Sequence, residues 1–316
     1  MTLTELRYIV AVARARHFGR AAEACFVSQP TLSVAVKKLE DELGAPLFER
    51  SQSEVTVTPL GVDVVAQAQR VLEQAELIKD LVKLRRDPLV GQLRVGVIYS
   101  IAPYLLPALV PRMIKTAPGM PMVLEENFTM RLLEMLKSGD IDAAILALPI
   151  SEPGLMLQAV YDEPFMVALP AGHAWGVRKS IPASDLKNET MLLLGAGHCL
   201  RDQVLKVCPE LMHFKSSGAE GIQKTFEGSS LETIRHMVAS GVGLTVLPAS
   251  AVPKKPLKND LIVYRPFRAP APDRRVALVW RKSYTRTAAM ERLRDAILSC
   301  GLAGAKMLDA RPETLH

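Results

Sequence analysis

Apolar side chains in residues 1–44 recur every three or four positions, a spacing that predicts helices. A first helix begins near Leu3, a second covers about residues 19–25, and a third follows a turn at residues 26–28. Ser28 is a good N-cap for the third helix, which ends at Gly44 and carries a proline in its first turn. Residues 47–57 then predict a small β wing. The segment is therefore predicted to be a winged helix-turn-helix.

The outward face of the third helix is predicted to carry side chains that suit base edges and phosphates. With one arginine of the wing, the candidate DNA-binding residues are Ser28, Gln29, Pro30, Thr31, Ser33, Lys37 and Arg50. The sequence pI is about 9.1, yet residues 1–58 contain seven Lys or Arg and seven Asp or Glu. Net charge therefore does not support the DNA-binding hypothesis, and a three-helix protein-interaction module is the alternative.

Thr58 and Pro59 predict the beginning of a long helix that ends near residue 86. Apolar residues follow a 4-3-4-3-4 spacing along this helix, at Val64, Ala68, Val71, Ala75, Ile78 and Val82. Such a heptad seam predicts a linker helix over residues 59–87 that joins two copies of the chain. The alternative is a helix that packs against its own domain.

From Gln92 onward the pattern changes to strands that alternate with helices, which predicts a parallel α/β sheet. Predicted strands cover residues 93–98, 122–126, 143–148, 191–194, 244–247, 262–264 and 276–280. Predicted helices cover residues 103–115, 130–137, 199–208 and 287–300, and Ser229 with Glu232 predicts a capping box that begins one more. Residues 303–316 lack periodicity and are predicted to be disordered. No run approaches 18 apolar residues, so a cytoplasmic chain without a membrane span is expected.

Side chains that can carry chemistry follow three of the predicted strands. Ser100 and Thr129 each come just after a strand, and Cys199, flanked by His198 and Asp202, follows a third. Ligands of α/β sheets bind outside the carboxyl ends of strands, so these groups are predicted to surround one site. Each hydroxyl taken alone is better explained as a helix cap.

The four cysteines fit no zinc-binding spacing, so neither a metal nor a cofactor is expected. In a reducing cytosol, cysteines are more often catalytic, metal-binding or redox-sensing than structural. Cys199 and Cys208 are nine positions apart, which in a helix separates their Cα atoms by about 13 Å on opposite faces. A disulfide needs Cα atoms within about 7 Å, so this pair can bond only if the helix unfolds. Cys25 and Cys300 are interpreted as apolar fillers.

Together these motifs resemble the LysR-type transcriptional regulators over nearly the whole chain. The resemblance is carried by Ala21-Ala22, Val27-Ser28-Gln29-Pro30-Thr31-Leu32-Ser33, Leu39-Glu40, Leu43-Gly44, Leu47-Phe48-Glu49-Arg50 and Thr58-Pro59-Leu60-Gly61. It implies a winged helix-turn-helix over residues 1–58, the linker helix, and a two-lobed α/β effector domain over residues 92–316 that is like a periplasmic binding protein. The first lobe would cover about residues 92–161 and 268–300, and the second about residues 162–267.

Within that family the chain resembles the branch that senses hydrogen peroxide. The matching segments are Gly197-His198-Cys199-Leu200-Arg201-Asp202-Gln203 with Cys208, Tyr104-Leu105-Leu106-Pro107 and Ser230-Leu231-Glu232-Thr233. The resemblance implies that Cys199 is the peroxidatic cysteine and Cys208 the resolving cysteine. It implies a peroxide site formed by Ser100, Thr129, His198 and Asp202. Two departures stand out, Ser100 where the family usually has threonine, and Pro209 directly after Cys208.

The same resemblance implies promoter DNA, hydrogen peroxide and RNA polymerase as partners, and a homodimer through the linker helix that pairs into a homotetramer. Three functions are compatible with the residues and motifs described above. The first is a peroxide-responsive regulator in which His198, Arg201 and a helix N-terminus favour the Cys199 thiolate, and oxidation closes a disulfide with Cys208. The second is a regulator that senses a small organic anion between its lobes, with both cysteines as core residues. The third is a thiol peroxidase, in which a helix-turn-helix has no purpose, so an enzyme is not expected.

Overall fold

The structure is a computed structural model that describes residues 1–50, 55–84, 89–209, 225–228, 230–253, 260–309 and 311–314. The chain divides into two compact units, Met1–Pro88 and Leu89–His316. Among the helices of the described ranges, none is both long and apolar enough to cross a membrane.

The first unit is a winged helix-turn-helix, as predicted. Its elements are α1 (Leu3–Ala15), α2 (Phe18–Ala24), α3 (Gln29–Leu43), the wing strands β1 (Phe48–Arg50) and β2 (Val55–Val57), and α4 (Pro59–Leu84). Ser28 caps α3, since its Oγ accepts a 3.3 Å hydrogen bond from the Thr31 amide. Gly44 ends α3 in the left-handed conformation, with φ of 69°. The apolar faces of α1, α2 and α3 form one buried core.

Helix α4 begins at the predicted cap, where the Thr58 hydroxyl accepts a 2.9 Å hydrogen bond from the Gly61 amide. The first half of its heptad seam is not free for a partner, because Val64, Ala68 and Val71 pack against the core of their own unit. Farther along the seam, Ile78 is 67% exposed. The alternative interpretation is therefore correct for the first half of the seam.

The second unit is an α/β domain built on a mixed sheet. Its first elements are β3 (Leu93–Ile98), α5 (Ala102–Thr116), β4 (Met122–Asn127), α6 (Thr129–Ser138), β5 (Ala143–Ala147) and β6 (Leu155–Pro170). The chain continues through β7 (Met191–Leu194), α7 (Cys199–Val207), β8 (Thr225–Gly228), α8 (Leu231–Ala239), β9 (Thr245–Pro248) and β10 (Ile262–Pro266). It ends with β11 (Asp273–Arg281), α9 (Thr287–Leu298), β12 (Lys306–Met307) and β13 (Glu313–Thr314).

The prediction of a parallel sheet is correct only for part of this unit. Strand β3 pairs in parallel with β4 and β5, whereas β11 pairs antiparallel with both β5 and β6. The 16-residue strand β6 runs through both halves of the unit, with β11, β12 and β13 along its beginning and β9 and β10 along its end. It thereby connects two separate hydrophobic cores.

We call the elements around these cores the first and the second lobe. The first core is built from β3, β5, β11, α5, α6 and α9, and the second from β7, β9, α7, α8 and the end of β6. Helix α7 contributes Leu200, Val204 and its C-terminal neighbour Cys208 to the second core. At its other end, Cys199 packs against the first core.

One further prediction about this unit is wrong, and another falls partly outside the described residues. The C-terminal segment is not wholly disordered, since β12 and β13 pair with β6. The N-cap of α8 is Ser230, which makes no capping hydrogen bond through its side chain, and the Glu232 carboxylate accepts from Tyr104 and Arg235. Ser229 itself lies outside the described residues.

Candidate functional site

A small cavity lies just beyond the carboxyl ends of β3, β4 and β7. Its lining comprises Ile98, Tyr99, Ser100, Asn127, Phe128, Thr129, Gly197, His198 and Cys199. The volume is about 10 Å³, near the smallest that holds one water molecule. The structure thus brings together Ser100, Thr129, His198 and Cys199, the groups that the strand-end argument placed in one site.

Aromatic rings form one wall of this cavity. The His198 ring lies 4.8 Å from the Phe128 ring and 5.7 Å from the Tyr99 ring, measured between centroids. Gly197 passes the Phe128 ring with φ of 94°, and a Cβ at this glycine would lie 3.4 Å from that ring. A larger residue at position 197 would therefore be strained in its backbone and crowded against the wall.

Cys199 is the first residue of α7, and its side chain is mostly buried. Burial raises the pKa of this thiol, and the charge of Arg274, the Thr129 hydroxyl and the Leu200 amide oppose that increase. The net pKa is higher than usual, so a resting thiolate is not favoured. Arg201, the cation predicted to act on the thiol, donates a 2.8 Å hydrogen bond to the Leu194 carbonyl.

Arg274 reaches the site from β11 as part of a fully buried network. Its Nη1 donates to Ser100 Oγ at 2.8 Å and its Nη2 donates to the Ser100 carbonyl at 3.0 Å. The Glu163 carboxylate accepts from Arg274 Nε at 2.8 Å and lies 2.7 Å from Nη2, with neither side chain exposed. The second oxygen of Glu163 accepts from the Ser250 amide at 3.1 Å. The positive charge of Arg274, which is paired with the negative charge of Glu163, is therefore held beside Cys199.

The hydrogen bonds use three of the five N–H groups of Arg274, and its ion pair with Glu163 adds a 2.7 Å contact at Nη2. Ser100 is not the cap of α5, because Ile101 is the N-cap residue, and the Ser100 hydroxyl oxygen accepts from Arg274. Thr129 is the first residue of α6, and Phe128 rather than Thr129 is the N-cap. Thr129 Oγ1 is buried and has no hydrogen bond of ordinary geometry to another described residue, although it is close enough to Cys199 to favour the thiolate. The cap interpretation therefore fails for both hydroxyls.

Asp202 has a different position from the other predicted peroxide-site residues. It is exposed in the first turn of α7 and is not part of the cavity lining. Its negative charge raises the pKa of Cys199, which opposes the effect of Arg274. Asp202 therefore acts on the site through its charge and not as a wall of the cavity.

Cys208 lies at the opposite end of α7. It is the C-cap residue, and its amide donates a 3.1 Å hydrogen bond to the Val204 carbonyl. Only 1% of its surface is exposed. Cys199 and Cys208 are both present as thiols and are not joined in a disulfide. The helical rise of about 1.5 Å per residue separates the two Cα atoms by about 13 Å, well beyond the reach of a disulfide.

Two side-chain contacts connect the lobes near α7. Gln203 of α7 donates a 3.3 Å hydrogen bond to the Leu148 carbonyl, which follows β5 of the first lobe. The Tyr104 hydroxyl of α5 donates a 2.7 Å hydrogen bond to the Glu232 carboxylate of α8. Arg235 donates a 3.0 Å hydrogen bond to the same carboxylate. The two short motifs around Tyr104 and Glu232 therefore meet in one hydrogen-bond network across the lobes.

The candidate DNA-binding residues lie around α3 with unequal exposure. Exposed positions are Ser28, Gln29, Pro30, Thr31 and Lys37, whereas Ser33 is half-buried. The hydroxyls of Ser28 and Thr31 bind each other at 2.8 Å, and Lys37 forms a 2.9 Å ion pair with Asp41. Arg50 ends β1 opposite Val55, and its side chain lies outside the described part of the chain.

Comparison with known proteins gives the same division of the chain. Residues 3–62 match the family model of the bacterial regulatory helix-turn-helix protein of the lysR family, and residues 86–299 match the LysR substrate binding domain. The chain belongs to the LysR family.

Among its relatives is the DNA-binding transcriptional dual regulator OxyR of Escherichia coli K12, 41% identical over 94% of this chain and 95% of that protein. A hydrogen peroxide-inducible genes activator of Haemophilus influenzae is 36% identical over 94% of this chain and 96% of that protein. The solved structure of a full-length OxyR variant from Pseudomonas aeruginosa matches with a TM-score of 0.81 and 50% identity, over 98% of this chain and 99% of that one. The LysR-family assignment therefore extends over both units.

Sequence reasoning missed several residues that shape the sites of this LysR-family chain. Arg274 and Glu163 lie far from Cys199 in sequence and look like ordinary surface charges, and only the sheet pairing of β6 with β11 brings them together. On α3, Val34 is 69% exposed among the polar residues, and Phe26 in the preceding turn is 95% exposed. An apolar residue at an outward helical position was the signal that could have identified Val34.

Proposed function

We propose that this LysR-family chain is a regulator that binds promoter DNA and responds to hydrogen peroxide through Cys199. The observation that carries the proposal is a cysteine thiol in a cavity of about 10 Å³, beside a buried arginine. The names of its relatives, OxyR and hydrogen peroxide-inducible genes activator, support the same function. A cavity of this size has no room for an organic anion.

In the first step, the Cys199 thiolate attacks one oxygen of hydrogen peroxide. The S–O bond forms while the O–O bond breaks, and the leaving hydroxide takes up a proton and becomes water, which leaves a sulfenic acid. Ser100 Oγ accepts its hydrogen bond from Arg274, so its own proton is available to orient the peroxide. Thr129 supplies a second hydroxyl, and the Arg274 charge stabilises the negative charge that develops on the leaving oxygen.

His198 and Asp202 have less direct parts in this proposal. His198 holds the aromatic wall against which the peroxide is placed, and its ring contacts both Phe128 and Tyr99. Asp202 adjusts the pKa of Cys199 from outside the cavity. A raised thiol pKa keeps most of Cys199 protonated near neutral pH, so fast oxidation requires a ligand that the cavity orients.

In the second step, the Cys208 thiolate attacks the sulfenic sulfur of Cys199. The S–S bond forms, the S–O bond breaks, and the hydroxide leaves as water after protonation. The separation of about 13 Å along α7 requires the helix to unfold before this bond can form. One peroxide is consumed for each cysteine pair that closes a disulfide.

The proposal is tested with one equivalent of hydrogen peroxide added to the reduced full-length protein, followed by peptide mapping. We expect a Cys199–Cys208 disulfide, with Cys25 and Cys300 still reduced. A bulky organic hydroperoxide serves as the size control, because the small cavity should slow its reaction at least tenfold more than the reaction of a free thiol with the same reagent. Oxidation of Cys25 or Cys300 first, or no discrimination by size, would contradict the proposal.

The proposed assembly is a cytoplasmic homodimer through the second half of α4, which pairs into a homotetramer and acts on RNA polymerase at promoters. Exposure of Ile78 supports a partner on that half of the helix. Sedimentation of the full-length protein should show a dimer or tetramer, and Ile78→Glu should shift it toward the monomer. A monomer in the unmodified protein would contradict this assembly.

A further inference from the structure

The outward face of α3 has an apolar residue at its centre. Leu32, Val36 and Leu39 are fully buried and mark the inner face of the helix. At about 100° per residue, Val34 lies about 200° around the helix from Leu32, almost directly opposite that inner face. Its 69% exposure agrees with this position. In the N-terminal half of α3, the middle of the outward face is therefore occupied by a side chain that ends in two methyl groups.

The polar neighbours of Val34 are already engaged with other residues. One turn before it, the Thr31 hydroxyl binds Ser28 Oγ at 2.8 Å. One turn after it, Lys37 pairs with Asp41 at 2.9 Å and Lys38 lies 3.3 Å from Glu5. The centre of the outward face thus presents methyl groups, and the polar groups around it are arranged along its margins.

An apolar group in the major groove has a specific counterpart among the base edges. The C5-methyl of thymine is the apolar feature displayed there, and cytosine, adenine and guanine present hydrogen-bonding atoms instead. We propose that Val34 contacts the C5-methyl of one thymine in each half-site, and so specifies a T·A pair at that position. This inference rests on α3 being the recognition helix of the proposed regulator, whose N-terminal half enters the groove.

The expected effect follows from the size of one methyl contact. Removing a single methyl group from an apolar contact weakens binding about three- to fivefold, since each buried CH₂ or CH₃ contributes about that factor. A dimer that reads two half-sites should therefore lose about tenfold or more when both contacts are removed. An apolar contact releases no counterion, so the dependence of binding on salt concentration should stay the same.

The experiment begins with an operator of about 60 base pairs, selected from a random pool by the unmodified full-length protein. Each symmetric pair of thymines is then replaced by deoxyuridine, which lacks only the C5-methyl. Dissociation constants are measured for the unmodified protein and for Val34→Ala, which shortens the side chain and favours the helix. Val177→Ala, at a 91% exposed valine of the other unit, is the matched control.

We expect one thymine position at which deoxyuridine weakens DNA binding by the unmodified protein about tenfold. The same replacement should leave DNA binding by Val34→Ala unchanged. The control variant should show the full penalty there, and thermal unfolding should show that Val34→Ala is folded. The proposal is overturned if no thymine shows a penalty, or if the penalty is equal in Val34→Ala. Failure to select any operator would contradict both the assignment of α3 as recognition helix and this inference. An operator at which deoxyuridine affects the unmodified protein and Val34→Ala equally would contradict only the role of Val34.

Discussion

The two ends of helix α7 carry the same side chain in opposite environments. Cys199 begins the helix, packs against the core of the first lobe and lines a small cavity under the influence of Arg274. Cys208 follows the last turn and lies in the core of the second lobe, with 1% of its surface exposed. A helix of nine residues therefore has each end fixed in a different core.

This difference shows how one chain can place one thiol, that of Cys199, at a cavity and keep a second thiol, that of Cys208, buried in a core. In the proposed function, peroxide enters the cavity at Cys199, and Cys208, buried in the core of the second lobe, becomes available only after the last turn of α7 leaves that core. A bond between the two ends must remove at least one cysteine from the core in which it packs. The proposed switch thus derives its two states from the competition between two cores and one covalent bond.

The largest expected effect separates the two steps at the two ends of α7. Cys208→Ala should abolish the disulfide completely, while the initial rate of Cys199 oxidation changes by less than about twofold. The loss of one buried sulfur should destabilise the fold by only about 1 kcal/mol. Stopped-flow oxidation and trapping of the sulfenic acid with dimedone measure both quantities. A first step slowed in proportion to the second would show that the two ends are not independent.

Arg274→Gln tests whether the charge at the Cys199 end is the feature that distinguishes it. The substitution leaves Glu163 buried without its ion-pair partner, which should lower the free energy of unfolding by about 3–5 kcal/mol. It should also raise the pKa of Cys199 further and slow its oxidation at least tenfold. Denaturant unfolding and peroxide kinetics are the measurements.

The matched control for this prediction is the double variant Arg274→Gln with Glu163→Gln. Two neutral amides remove the unpaired buried charge, so much of the lost stability should return. Oxidation should remain slow, because the positive charge is still absent. Recovery of stability and oxidation together would show that Arg274 acts only through folding.

Thr129→Val gives a smaller effect, and stability and reactivity should change in opposite directions. The hydroxyl oxygen is buried without an ordinary hydrogen bond among the described residues, so its replacement by a methyl should leave the free energy of unfolding unchanged or raise it by about 1 kcal/mol. Oxidation by hydrogen peroxide should slow about tenfold, since a hydrogen bond to a charged group is lost. Thermal unfolding and oxidation kinetics of the same sample decide the matter, and slower oxidation with lower stability would indicate damage to the fold.

The same contrast explains what the sequence could and could not predict. Three strand ends, each marked by an apolar run, were sufficient to place Ser100, Thr129 and Cys199 around one site. Arg274 could not be found this way, because the apolar run of β11 begins at Val276 and the two arginines before it resemble a solvated strand end. The predicted helix over residues 199–208 corresponds to α7, which ends at Val207 because Pro209 disfavours helical geometry at Cys208.

Strand β6 and the C-terminal segment were missed for a different reason. Strand β6 contains a proline at position 164 and the buried polar residues Gln158 and Glu163, so its pattern is not that of an apolar strand. Its polar residues are satisfied by partners from distant elements, such as Arg274 and the Ser250 amide for Glu163. The two-residue strands β12 and β13 are too short for any periodicity and depend on β6 for their pairing.

The last prediction compares the two thiols by alkylation with iodoacetamide, and its effect is a shift in pH dependence. Burial raises the pKa of Cys199, so its labelling should follow a thiolate that forms above the usual thiol range, with a rate that rises about tenfold per pH unit below that point. The same raised pKa favours the folded state below the usual thiol pKa, and this stabilisation is lost as the pH rises through the folded value. Labelling of Cys208 should be limited by opening of α7, so low urea should accelerate it more than labelling of Cys199. Mass spectrometry of the two peptides gives both rates, and a Cys199 midpoint at or below the usual thiol pKa would contradict the prediction.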